Sequence, residues 1–185
     1  MQLEYRSMSP AVCKIQSMDV TAGFPPLLGS EMRVLILGTL PSQQSLRRQQ
    51  YYGHPQNAFW RIMGELFGAG PEFPYERRTR TLASHGIAVW DVLASGTRPG
   101  SMDAAIVESS VIPNDFRTLR ARHPELRLVC FNGKAAARLF ERLVADDVRE
   151  SFGAVRFVTM PSTSPAYAAM NYEAKLARWA EVANC

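Results

Sequence analysis

Three stretches of this 185-residue chain gather aromatics, amides and small residues that leave the backbone exposed. The first reads Gly38-Thr39-Leu40-Pro41-Ser42, the second Tyr51-Tyr52-Gly53-His54-Pro55-Gln56-Asn57-Ala58-Phe59-Trp60, and the third Met160-Pro161-Ser162-Thr163-Ser164-Pro165-Ala166. Asn57 can accept a hydrogen bond from an attacking water and stays neutral across physiological pH. As a plain structural residue it would cap a helix starting at Ala58. Tyr52 offers a flat face with a polar tip. Asp91, just after Trp90, can accept an N–H from a ligand or cap the next turn. Asn132, before Gly133, can read a carbonyl or ring nitrogen, or simply make a turn. His54 can contact a phosphate or hold its own loop. Ser42, Ser162 and Ser164, with neighbouring backbone N–H groups, suit phosphate contacts as well as loop caps. Arg47-Arg48 suits phosphate neutralisation, whereas Arg77, Arg78 and Arg80 read as a solvated helix face.

Other chemistries find less support. Gly133-Lys134 precedes a helical pattern, but the glycine spacing of a phosphate loop is missing. No Gly-x-Ser-x-Gly elbow marks a hydrolase nucleophile. Cys13, Cys130 and Cys185 are too scattered for a metal or cluster site, and their odd number speaks against a disulfide framework; thiols are expected, with Cys130 buried as a small hydrophobe. Neither a metal nor a cofactor is expected.

The elements that must position these residues alternate. Val34-Leu35-Ile36-Leu37, Ile87-Ala88-Val89-Trp90, Leu126 to Phe131 and Val155 to Met160 are short apolar runs suited to strands covered on both faces. Between them, Phe59, Ile62, Met63, Leu66 and Phe67 recur at helical spacing, and Tyr75 to Ser84 reads as a charged helix. Asn114 is positioned to cap a helix reaching His123, and another helix runs from Gly133 to about Val144. Tyr172, Leu176, Trp179 and Val182 give a closing helix one apolar face. The Gln- and Arg-rich segment up to Gln56 reads as a loop, and Phe24-Pro25-Pro26 as an extended approach. Alternation of this kind implies right-handed crossovers, hence a three-layer α/β/α sandwich around a central, mainly parallel four-stranded sheet. In such a sheet the polar residues at the strand ends share one mouth.

Composition sets the outer limits. With 46% hydrophobic and 21% charged residues the chain reads as one globular domain over 19–185, preceded by a loosely ordered segment over 1–18. No apolar run approaches a membrane span, so no membrane partner is expected, and the start lacks a secretory pattern, which suggests the cytoplasm. A net charge of +4 favours a polyanionic partner without identifying one.

Taken together, the three stretches and Phe131-Asn132-Gly133-Lys134 resemble the signature motifs of the uracil-DNA glycosylase superfamily. The run Tyr-Gly-His-Pro-x-Asn-x-Phe-Trp is similar to that of the mismatch-specific uracil-DNA glycosylases, and the whole pattern looks closest to the hypoxanthine-DNA glycosylase branch. The resemblance covers roughly residues 24–182. It implies a monofunctional hydrolase that flips a deaminated base out of DNA, hypoxanthine first and uracil in mismatches second, and removes it in base-excision repair as a nucleoid-associated monomer. It implies a base pocket made of Gly38, Leu40, Tyr52, Asp91 and Asn132, with Tyr52 stacking on the base. Leu40 stands where many members carry a water-activating Asn or Asp, and the catalytic amide moves to Asn57, with Asn132 next in line. Met160 replaces a His that in many members stabilises the departing base, leaving that task to Asn132 or backbone amides. DNA contacts fall to Ser42, His54, Ser162, Ser164, Pro165 and Tyr167, the last as a wedge. No Lys lies in these motifs, so water is the expected nucleophile. The alternative from another class is a catalytically silent lesion- or mismatch-binding protein, suggested by Leu40 and Met160.

Overall fold

The computed structural model describes residues 20–29 and 31–184. The segment over 1–18, Cys13 and Cys185 lie outside the described residues. Four strands, β2 (Val34–Gly38), β3 (Ile87–Asp91), β6 (Leu128–Asn132) and β7 (Arg156–Met160), form one parallel sheet in the order β3-β2-β6-β7. Each of the four apolar runs became a strand. β2 and β3 are buried at every position, as expected of strands with helices over both faces. β7 forms an edge and exposes Arg156 and Phe157.

The register fixes the functional end of the sheet. Gly38 pairs with Asp91 across β2 and β3, and Asn132 with Met160 across β6 and β7, so all four strand ends finish level. The opposite edge of β3 is covered by the Phe24-Pro25-Pro26 approach, where Leu27 bridges Val89 antiparallel. A second, antiparallel sheet of β1 (Val20–Ala22), β4 (Leu93–Thr97) and β5 (Ile112–Pro113) has no counterpart in the sequence reading, because β1 and β5 span only three and two residues and β4, Leu-Ala-Ser-Gly-Thr, has neither an apolar run nor an alternation.

The helices follow the apolar spacing with three corrections. The Gln- and Arg-rich segment is not all loop: α1 (Gln43–Arg48) forms there because Ser42 accepts a hydrogen bond from Ser45 N–H, and Gln49 ends it in a left-handed conformation. α2 (Phe59–Phe67) and α3 (Tyr75–Ser84) stand as expected. The face of α3, however, is not simply solvated: the Arg78 guanidinium lies over the Trp60 and Tyr75 rings and donates to Gln50. Third, α4 (Phe116–Arg122) is capped by Asp115 rather than Asn114, its carboxylate taking the Thr118 N–H. Asn114 instead donates from its side chain to the carbonyl of Asp91. α5 (Lys134–Leu143), the short α6 (Asp146–Glu150) and α7 (Tyr172–Trp179) complete the helices. Trp179 is fully buried, and Cys130 is buried as expected.

Candidate functional site

The strand ends enclose a cleft of roughly 100 Å³ lined by Gly38, Leu40, Tyr52, Asn57, Asp91 and Asn132 together with residues of the first and third stretches. Larger grooves exist, such as one of about 400 Å³ beside Leu139 and Arg142. Chemistry singles out the smaller one. Five buried side-chain polar atoms lack a hydrogen-bond partner among the described residues, and three of them, Tyr52 Oη, Asp91 Oδ2 and Arg98 Nε, belong to residues of this cleft. Such atoms are costly to fold around, so their clustering marks a place built for a ligand.

Tyr52 has a backbone φ of 53°, a left-handed conformation uncommon for a bulky residue and one that strains the chain at the site. Its ring stacks on Phe59 with centroids 3.9 Å apart. The hydroxyl points inward beside the Asn132 side chain, outside hydrogen-bonding geometry. Burial, with the nearby Asp91 charge, raises the phenol well above its ordinary value, so it keeps its proton.

Asp91 is 4% exposed. Its carboxyl is pushed up to about 7 by burial, with Asp103 adding to the effect and Arg98 opposing it. Gly38 makes room for it: a Cβ there would collide with Asp91 Oδ1 and come within 3.3 Å of the Tyr52 hydroxyl.

Asn57 sits on the cleft wall and also holds the start of α2, its Oδ1 accepting the Phe59 N–H at 3.0 Å. Asn57 is not the N-cap itself, which is Ala58 and has no side-chain cap bond; it stands one residue earlier and takes the Phe59 N–H in an Asx-type turn, and its carbonyl keeps a second lone pair toward the cleft. Asn132 is committed differently. Its Nδ2 donates to Thr163 Oγ1 and its Oδ1 accepts the Thr163 N–H, both at 2.8 Å. Thr163 O in turn accepts the Ala58 N–H. The amide expected to face a ligand thus latches the third stretch to β6 and to the start of α2. Leu40 is a buried wall residue, and Met160 is buried at the end of β7.

The serines lie at the rim and act on their own loops. Ser42 caps α1, Ser162 accepts the Ser164 N–H, and Ser164 accepts the Ala166 N–H. His54 does not line the cleft; its Nδ1 accepts the Gln56 N–H, which holds the loop. Pro165 and Tyr167 are exposed. The Tyr167 carbonyl accepts from Lys175 Nζ at 2.9 Å. Lys175 thus braces the third stretch from behind and is not a cleft residue.

Arg98 was not legible in the sequence, where nothing around Arg98-Pro99-Gly100 marks a buried charge. It is 5% exposed. Its guanidinium donates to the Leu40 and Pro41 carbonyls and pairs with Asp103 at 3.2 Å, while Thr39 donates to the same Asp103 oxygen. This network fixes the loop after β2. Among the described residues, no group of three or more His, Cys, Asp or Glu side chains is arranged to hold a metal ion.

Comparison with known proteins is consistent with this geometry. Residues 25–184 match the family model of the Uracil DNA glycosylase superfamily. The chain is 44% identical over 118 residues to a protein named Hypoxanthine DNA glycosylase from Methanosarcina acetivorans, covering 63% of this chain and 73% of that one. It is 42% identical over 113 residues to a protein of the same name from Methanosarcina barkeri, covering 60% and 70%. A solution NMR structure from Methanosarcina acetivorans, provisionally described as a uracil DNA glycosylase, superposes with a TM-score of 0.72 at 36% identity, covering 89% of this chain and 97% of that one.

Proposed function

The chain belongs to the uracil DNA glycosylase superfamily and is a DNA glycosylase, and we propose that the base it releases is hypoxanthine first and uracil in mismatches second. The observation that carries this reading is the meeting of Asn57, Tyr52 and Asp91 in one cleft at the strand ends. The target nucleotide is turned out of the stack into the cleft. Asn57 directs a water onto the sugar carbon, and Asp91 reads the edge of the base. Asn132 serves as the latch that keeps the third stretch against β6. Water, not an amine, is the nucleophile, so the products are free base and an abasic site in base-excision repair.

In the presence of chelator, purified protein is expected to release hypoxanthine or uracil from oligonucleotides and to leave an alkali-labile site. Binding to lesions without release, across a panel of deaminated bases at high enzyme concentration, would overturn the reading in favour of a lesion-binding protein.

The exposed Tyr167, at the turn closed by its N–H on the Ser164 carbonyl, is the side chain assigned to the gap left in the duplex. Extrusion from a paired helix costs a few kcal/mol of unstacking, and a wedge offsets part of that. Tyr167→Ala is therefore expected to slow excision from a stable duplex more than from a single strand. Equal slowing on both, with a lower melting temperature, would assign Tyr167 to packing against Lys175.

A further inference from the structure

Cleaving the bond between sugar and base leaves the bonding electron pair on the base, and the negative charge spreads to its carbonyl oxygen. Fixed donors aimed at such a charge in a dry site are the largest single source of catalysis in many enzymes. Most polar groups of this cleft are already engaged. Arg98 is bound to Leu40, Pro41 and Asp103, Asn132 to Thr163, Asn57 Oδ1 to Phe59, and Ser42 to Ser45. Met160 has no N–H or O–H to give. Three buried atoms of the cleft remain without a partner among the described residues: Arg98 Nε, on a guanidinium whose other nitrogens are held by the loop after β2 and by Asp103, and the Tyr52 hydroxyl and Asp91 Oδ2, whose side chains are the ones that meet at Gly38.

We propose that the Tyr52 hydroxyl and the Asp91 carboxyl act together as neutral hydrogen-bond donors to the carbonyl oxygen of the departing base. The inference rests on the glycosylase reading above and deepens it. Both heads lie against Gly38, where the missing Cβ leaves them room, and both are held by the fold: Tyr52 by its stack on Phe59, Asp91 by its register beside Gly38. The groups facing Asp91 are Arg98, which favours its ionised form, Asp103, which opposes ionisation, and the phenols Tyr51 and Tyr52, which stay neutral. Burial outweighs Arg98, and the carboxyl holds its proton up to about pH 7. A protonated carboxyl and a tyrosine serving as paired donors are an established enzymatic arrangement.

The same pair selects a class of base. A neutral carboxyl can accept a ring N–H through its carbonyl while its O–H donates to the adjacent ring carbonyl, and Tyr52 donates to that oxygen as well. This N–H beside C=O edge is what deamination creates in both hypoxanthine and uracil. An amino group in place of that carbonyl can still pair with a reversed carboxyl, but it meets the Tyr52 O–H with a hydrogen instead of a lone pair, so the discrimination falls to Tyr52. In the reaction the sugar–nitrogen bond breaks with its electron pair going to the base. Water adds its oxygen to the sugar carbon, and the proton that water loses ends on the base.

Single-turnover excision between pH 5.5 and 9, on duplexes carrying hypoxanthine and uracil, tests the pair. Tyr52→Phe keeps the ring and its stack, and is expected to be about ten- to a hundredfold slower with an unchanged melting temperature. Wild-type rates should fall as pH rises past 7. Asp91→Asn retains a neutral donor and acceptor, so it should stay within about tenfold of wild type at pH 6 and lose the alkaline fall. Asp91→Ala should be slow throughout. Tyr52→Phe within twofold of wild type would overturn the inference, as would a wild-type rate that rises with pH while Asp91→Asn is inactive, because Asp91 would then act as an anion. Wild-type protein that releases neither base would overturn the parent reading itself.

Discussion

Replacing Asn57 with alanine is expected to lower the single-turnover excision rate on the order of a thousandfold while lesion DNA still binds. One positioned group acting on the transition state commonly supplies a factor of about 10² to 10⁴. Leu40 cannot share the task, since it is a buried hydrocarbon whose carbonyl is occupied by Arg98. The substitution has a second effect that must be separated from the first. Asn57 Oδ1 holds the Phe59 N–H, so its loss should also cost about 0.5 to 1.5 kcal/mol of stability. Asn57→Asp keeps that acceptor and tells the two apart: it should melt close to wild type, whereas Asn57→Ala should melt earlier. Excision is measured at a temperature where every variant is folded. If Asn57→Ala melts early but cleaves at the wild-type rate, the amide only secures the entry to α2 and catalysis must be reassigned to another cleft residue.

The second large effect concerns stability against pH. The Asp91 carboxyl rises from an ordinary 3.8 to about 7 in the folded protein. Below pH 3.8 both the folded and the unfolded states carry the proton, so the titration of this group takes nothing from stability there. As pH rises from there, the unfolded chain releases the proton while the folded chain retains it, so stability falls by about 1.4 kcal/mol per pH unit until the folded group also ionises near 7. Between pH 5 and pH 8 this group alone should remove roughly 2 to 3 kcal/mol. Asp91→Asn has no proton to lose. Urea unfolding at the two pH values should therefore show a loss in wild type that is smaller in Asp91→Asn by about that amount. Parallel losses in the two proteins would mean that Asp91 ionises normally in the fold.

Much of the architecture was legible because burial leaves a local record. Val34 to Leu37 and Ile87 to Trp90 are unbroken apolar runs, and a strand covered on both faces needs nothing else. The spacing of Phe59, Ile62, Met63 and Phe67 encodes the one face that α2 buries. Strand ends bearing Gly38, Asp91 and Asn132 then had to share a mouth, because a parallel sheet brings like ends together. α1 escaped notice because its only aliphatic residue is Leu46, so its identity rests on the Ser42 cap rather than on a period.

The sequence by itself thus determined the parallel sheet, the end of it that carries chemistry, and the residue types available there. Only the tertiary structure decided what each of them is free to do. Thr163 lies 31 residues from Asn132, yet it takes up the amide. Arg98 lies 58 residues from Leu40, yet it closes the loop after β2. The raised carboxyl of Asp91 comes from groups brought around it by separate elements. Hydrogen-bond partners and desolvation are properties of where distant segments meet. A periodic pattern records only whether a residue is buried, not which polar atoms are left unpaired once it is.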